Sequence, residues 1–144
     1  MSIRTLHIVN GPNLNLLGRR EPDVYGSQSF EAFYRQLTED LSMPQWHYYQ
    51  SNHEGELLDY LHRCGFDDDT GIILNAGAYT HTSIALADAV AAISVPVVEV
   101  HISNVYAREA YRHHSTLSSH CVGIIVGCGL EGYRLAATYL LGLR

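Results

Sequence analysis

Five short apolar runs, each followed by a segment long enough for a helix, recur along the chain and restrict its fold more than any other feature. Leu6-His7-Ile8-Val9, Trp46-His47-Tyr48-Tyr49, Gly71-Ile72-Ile73-Leu74-Asn75, Val97-Val98-Glu99-Val100-His101 and the stretch 122–126 have the composition of strands. Between them, Phe30, Phe33, Leu37 and Leu41 fall at helical spacing behind Ser29 as an N-cap. Ser51-Asn52-His53-Glu54 has capping-box form ahead of Leu57, Leu58 and Leu61. The alanine-rich segment 82–93 and the segment 133–143 supply two more helices. Strands alternating with helices build right-handed βαβ units and hence a parallel sheet. No repeat, linker or low-complexity tract divides the 144 residues, which read as a single domain, 1–144.

Five such units suit an α/β, flavodoxin-like three-layer sandwich around a five-stranded parallel sheet of order 2-1-3-4-5. Ligands of open parallel sheets bind outside the carboxyl ends of the strands. Asn10, Ser51-Asn52, Asn75 and His101 each stand where an apolar run ends, so a site is expected along that edge.

Composition narrows the chemistry. All nine basic residues are arginine, so Schiff-base catalysis and the phosphate-binding lysine of a P-loop are both excluded. A formal charge of −6 argues against nucleic acid or an anionic membrane as the main partner. The nine histidines include no HExxH, and the adjacent His113-His114 pair cannot aim two imidazoles at one ion from a regular element, so no metal is expected. Cys64, Cys121 and Cys128 form no CxxC pair, and Cys121 and Cys128 read as core thiols. With no apolar run near the ~20 residues of a membrane span and no targeting leader, the expectation is a reduced, cytoplasmic protein. Gly127 to Gly132 fits GxGxxG, but no later strand can supply a ribose-binding acid, so these glycines are assigned to a tight turn and close helix packing.

Three constellations carry chemistry. Glu99, His101 and Ser103 alternate, so their side chains emerge on one face of the strand and its extension. A carboxylate beside an imidazole fixes its tautomer and favours the protonated ring, a general acid. Arg108 and Arg112 share a face if their segment is helical, and their planar forks suit a carboxylate. The long connection from Asn10 to Gly26 lacks periodicity, and its stretch 18–26, with Arg19, Arg20 and Tyr25, reads as an active-site lid. A tyrosine serves as a base at neutral pH only when a cation stabilises its phenolate.

Asn10-Gly11-Pro12-Asn13-Leu14-Asn15, Arg20-Glu21-Pro22 with Tyr25-Gly26, Gln50-Ser51-Asn52, the run Asn75 to Ser83, Glu99 to Asn104, Ala107-Arg108-Glu109 with Arg112, and Gly123 to Gly132 together resemble type II 3-dehydroquinate dehydratase. The absent lysine agrees, because the unrelated type I enzyme works through a lysine imine. The resemblance implies anti elimination of water from 3-dehydroquinate to 3-dehydroshikimate through an enolate, without metal or organic cofactor. Tyr25 would be the base, with Arg20 holding it as phenolate. Asn13 and the backbone around Ala78 would hold a water against the enolate. His101, oriented by Glu99, would protonate the departing hydroxyl. Asn75, His81, Ile102, Ser103 and Arg112 would bind substrate, with Arg108 close by. Asp88 would come from a neighbouring subunit of a dodecamer built from trimers. The setting would be the shikimate pathway towards chorismate, or quinate catabolism. Tyr111, where the family usually has phenylalanine, and His113-His114 depart from the pattern without touching a catalytic position.

The competing classes fit less well. A phospho-receiver module wants clustered acids and a lysine, and a flavin carrier wants a Ser/Thr-rich loop after the first strand. A dehydratase of another cyclic hydroxy-keto acid would differ only in pocket shape.

Overall fold

A computed structural model describes residues 2–19 and 21–143. The strands are β1 (Thr5–Asn10), β2 (Gln45–Gln50), β3 (Thr70–Asn75), β4 (Val97–His101) and β5 (Gly123–Val126). They form one parallel sheet of order β2-β1-β3-β4-β5, the order expected. The helices are α1 (Pro22–Tyr25), α2 (Phe30–Asp40), α3 (Glu54–Cys64), α4 (Ile84–Ala92) and α5 (Glu131–Leu141). Two cores lie on the two faces of the sheet. Leu6, Ile8, Ile73, Val98 and Val100 pack against Phe30, Phe33 and Leu37 of α2 and Ala136 and Leu140 of α5. Val9, Ile72, Leu74 and Val97 pack against Leu57 and Leu61 of α3 and Leu86 and Val90 of α4. Both faces of the central strands are thus covered, which explains why those runs are apolar throughout instead of alternating. Each large apolar side chain so buried contributes about 1.5–3 kcal/mol.

The helix starts follow the sequence at two places and depart from it at a third. Ser29 Oγ accepts from Ala32 N at 3.2 Å and Ser83 Oγ from Leu86 N at 2.9 Å, both N-caps. The capping box expected over 51–54 does not form. Ser51 lies buried just beyond β2, and its hydroxyl accepts from His53 N (2.9 Å) and donates to Glu56 (3.0 Å), so α3 starts two residues later, with His53 in the N-cap position.

Three further expectations are corrected. The connection 10–26 is not structureless: a 3-10 turn spans Leu14–Leu16, and Pro22 opens α1, where its fixed φ is pre-set for a first helical residue. Arg108 and Arg112 do not share a helix, because their segment breaks into two 3-10 turns, Val105–Ala107 and Ala110–Arg112, with Arg108 extended between them. Cys128 is exposed and Cys121 half-buried; only Cys64 is a fully buried thiol, because the turn after β5 leaves the sheet edge at Gly127. Two glycines have the packing role expected of them or its equivalent. A Cβ at Gly132 would press on Val100 and Ile125 at 3.3–3.4 Å, and one at Gly11 would meet Ala76 O at 2.5 Å, so the ends of β1 and β3 approach as closely as they do only with glycine there. Among the described residues, no helix is long and apolar enough to cross a membrane, and no group of three or more His, Cys, Asp or Glu is placed to hold a metal ion.

His7 shows what the buried faces demand of a titratable group. Its ring stacks on His47 of the neighbouring strand (centroids 4.6 Å apart) and shares a 2.7 Å hydrogen bond with the Tyr60 hydroxyl. Burial, reinforced by His47, pushes it down from 6.5 to about 4, against an opposing pull from Asp67. Between those values the unfolded chain binds a proton that the folded one excludes, so stability falls as pH drops through that window. The expected loss is on the order of 3 kcal/mol by pH 4. The denaturant midpoint should fall further between pH 7 and pH 4.5 for the wild type than for His7→Asn; equal losses in both would remove His7 as the cause.

Candidate active site

The carboxyl ends of β1, β3 and β4, with the loops that follow them, enclose a cavity of about 90 Å3. Asn13, Tyr25, Asn75, Ala78, His81, His101, Ile102, Ser103, Arg108 and Arg112 all line it, so most of the residues singled out from sequence converge. Asn10 and Ser51 do not reach it: each is buried a step behind the wall. Asp88 is exposed on α4, outside the cavity of its own chain. Arg20 lies outside the described residues.

Tyr25 ends α1 and stands over the mouth of the cavity beside Arg108. Arg108 Nη1 donates to the Tyr25 hydroxyl at 2.8 Å and to Ser103 Oγ at 3.3 Å, while Nη2 is 3.7 Å from Glu21. The guanidinium carbon lies 5.4 Å from the centre of the Tyr25 ring. The side chain of Arg108 is 14% exposed, so this charge is only partly screened. A guanidinium N–H directed at a phenolic oxygen stabilises the phenolate over the phenol. Opposite, Arg112 gives its Nε to Glu109 at 2.7 Å and lines the cavity with the rest of its fork. Two guanidiniums with no facing carboxylate left unpaired make the cavity suited to an anion.

His101 closes the inner wall. Its Nε2 meets Glu99 Oε2 at 2.5 Å, and both residues are buried. They share a face because β4 alternates, as the sequence indicated. The other Glu99 oxygen, Oε1, accepts from Ser118 Oγ at 2.6 Å and Ser115 Oγ at 3.1 Å. Burial alone would push the Glu99 carboxyl up; hydrogen bonds from His101, Ser118 and Ser115 outweigh it and hold the group below the ordinary carboxylate value. The carboxylate fixes the orientation of the imidazole, and Nδ1, which has no protein partner among the described residues, remains for a ligand. His81 stacks near it, centroids 6.2 Å apart. Burial first, then the charges of His101 and Arg112, hold His81 below its ordinary value. Its Nδ1 donates to His114 O at 2.7 Å, so a neutral His81 presents Nε2 as an acceptor.

Asn75 is set by a directional relay. Gly77 N–H donates to Asn75 Oδ1 at 3.1 Å, which fixes the amide orientation, because a backbone N–H can only donate. Asn75 Nδ2 then donates to Tyr133 OH (2.8 Å), Tyr133 OH donates to Asn10 Oδ1 (2.8 Å), and Asn10 Nδ2 points at Tyr48 OH (3.4 Å). Tyr133 is wholly buried, and burial raises its phenol far above the usual range, so it stays neutral. At the other wall, Asn13 adopts φ 69°, a left-handed conformation asparagine tolerates, and its N–H is held by Asn52 Oδ1 at 3.0 Å.

Sequence reasoning did not single out Ser115, Ser118 or Tyr133. The serines carried only a weak signal, two hydroxyls three apart in a polar loop; Tyr133 looked like one more core aromatic of α5.

A chain with this sheet order, this strand-end cavity and these polar groups is similar to known proteins over nearly its whole length. The profile of the dehydroquinase class II family matches residues 4–141. A protein of an Exiguobacterium species named 3-dehydroquinate dehydratase is 56% identical over 138 residues, covering 93% of this chain and 92% of that one. The type II dehydroquinase structure from Butyrivibrio crossotus superposes with a TM-score of 0.91 at 42% identity, covering 96% and 97% of the two chains. That from Propionibacterium acnes gives 0.90 at 38% identity, covering 98% and 99%. Family profile, sequence relatives and solved structures agree over nearly the whole length: the chain belongs to the dehydroquinase class II family.

Proposed function

We propose that the protein is a 3-dehydroquinate dehydratase, a hydro-lyase that removes water from 3-dehydroquinate to give 3-dehydroshikimate by anti elimination. The observation that carries this reading is the pairing, across one cavity, of a tyrosine hydroxyl held by a guanidinium with a histidine held by a buried carboxylate. A proton next to a ketone is acidic enough for stepwise removal. Tyr25, as phenolate, takes the C2 proton, and the electrons of that C–H bond pass to the ketone oxygen as an enolate. Arg108 supports the phenolate through its hydrogen bond; Arg20 retains the same role from sequence. A water held near Asn13 and Ala78 stabilises the enolate oxygen. The enolate then collapses, the C1–O bond breaks, and His101 gives its proton to the leaving hydroxide, so that one water leaves and a C1–C2 double bond remains. Proton exchange with solvent resets Tyr25 and His101. Asn75, His81, Ile102, Ser103 and Arg112 hold the hydroxyls and the carboxylate of the substrate.

Oligomerisation belongs to the same reading. α4 is apolar on its outer side as well, with Ile84 71% exposed beside Ala85, Asp88, Ala91 and Ala92. A helix apolar all round is normally covered. A neighbouring copy covering it would bring Asp88 to the next cavity, in trimers gathered into a dodecamer. Three free cysteines suit a reducing cytoplasm. Aromatic biosynthesis is the setting; quinate breakdown would use the same reaction.

The test is absorbance of the conjugated enone on adding 3-dehydroquinate to protein treated with a chelator and then with borohydride. A rise that survives both treatments supports an elimination run by these side chains. No rise, or loss on either treatment, would overturn it. Within this site Arg112→Ala should raise KM about 10–100-fold, the worth of a charged hydrogen bond, with kcat within about threefold. An unchanged KM would remove Arg112 from carboxylate binding.

A further inference from the structure

We propose that Ser115 and Ser118 are positioning residues for the elimination: their two hydroxyls hold the Glu99 carboxylate in place, and through it keep the His101 ring aimed into the cavity. The inference rests on the reading of His101 as the general acid. Glu99 is 1% exposed, and a carboxylate taken out of water retains its charge only if its lone pairs are met. One oxygen is spent on His101, and both serine hydroxyls converge on the other, at 2.6 and 3.1 Å. The donors are themselves fixed. Ser115 Oγ accepts from Leu117 N (3.1 Å) and Ser118 N (3.2 Å), so its proton is left for Glu99, and Leu117 between them is fully buried and anchors the segment.

Among the described residues, the neighbouring titratable groups do not replace them. Around the carboxylate, His81 is held below its ordinary value and Cys121 is pushed up to about 12, so both are neutral at pH 7. Arg112 directs its Nε to Glu109, and His113 shares a hydrogen bond with Arg108 O. Without the hydroxyls, Oε1 of Glu99 loses both donors, and the carboxylate no longer fixes the orientation of the His101 ring. An imidazole that is not aimed at the leaving oxygen transfers its proton poorly, so the expected defect lies in the chemical step and not in substrate binding.

The experiment is steady-state kinetics with 3-dehydroquinate on Ser118→Ala, the double variant Ser115→Ala/Ser118→Ala, Ser118→Thr, which keeps the hydroxyl, and Ser119→Ala, an exposed neighbour. Ser118→Ala should lower kcat about tenfold and the double variant about a hundredfold, with KM within about twofold. Ser118→Thr should recover most of the loss and Ser119→Ala should show none. In 15N spectra the His101 Nε2 signal, which reports its hydrogen bond to Glu99, should shift in the double variant and stay in place in Ser119→Ala. A folded double variant with unchanged kcat overturns the proposal. So does a loss that falls equally on KM, or one that Ser118→Thr does not recover. If the double variant does not fold, Ser118→Ala alone decides. His101→Ala is run beside them: if it keeps its rate, the general-acid reading has failed; if it loses its rate while the serine variants do not, only the serine proposal has failed.

Discussion

Tyr25→Phe is expected to leave a folded protein whose turnover of 3-dehydroquinate falls about 10²–10⁴-fold, the range associated with one general base. The substitution removes a single oxygen from a half-buried ring at the mouth of the cavity, and no core residue depends on it. What it removes chemically is large. The Tyr25 oxygen receives a guanidinium N–H from Arg108 at 2.8 Å, the shorter of the two hydrogen bonds that Arg108 Nη1 makes in the cavity. KM should change little, because the substrate's carboxylate and hydroxyls are assigned to other residues. The check is kcat and KM on the purified variant, with circular dichroism as the folding control. A variant within about threefold of wild-type kcat would show that the base lies elsewhere.

His101→Ala should cost a similar factor by a different route. It removes the proton donor for the departing hydroxide and also leaves Glu99 as a buried carboxylate facing a void, with only Ser115 and Ser118 for partners. Leaving such a charge without its partner is destabilising by about 3–5 kcal/mol, so a lower Tm is expected together with the lost turnover. A substrate with a better leaving group at C1, which needs less help from an acid, should recover rate in His101→Ala but not in Tyr25→Phe. Equal recovery in both would place His101 outside the departure step.

Much of the fold was legible because its signals are local. The strand runs, the Ser29 helix start and the polar strand ends follow from composition and periodicity, and the order 2-1-3-4-5 is that of the flavodoxin-like sandwich that five such units suit. The errors were local competitions resolved by tertiary packing. Ser51 had the right neighbours for a cap, but β2 buried it first, and its hydroxyl turned to His53 and Glu56. Arg108 and Arg112 had helical spacing, but the chain between them breaks into separate 3-10 turns, and both still reach the cavity.

The site was legible in part for the same reason. Glu99 and His101 sit two apart on one strand, so their contact could be read from the alternation of side chains. The hydrogen bond from Arg108 to Tyr25 could not, since the two are 83 positions apart. Ser115 and Ser118 meet Glu99 across 16 and 19 positions, and Tyr133 meets Asn10 across 123. Nothing in the local sequence distinguishes these from solvated serines or an ordinary core tyrosine.

In the proposed elimination the Tyr25 oxygen and the His101 ring act on opposite sides of one substrate ring. The crystal structure of Tyr25→Phe with 3-dehydroquinate bound measures this directly. It should place C2 within about 4 Å of the para carbon of the new phenyl ring, and the C1 hydroxyl within about 3.5 Å of His101 Nδ1. A substrate ring seated away from residue 25, or a C1 hydroxyl turned from His101 towards another donor, would contradict it.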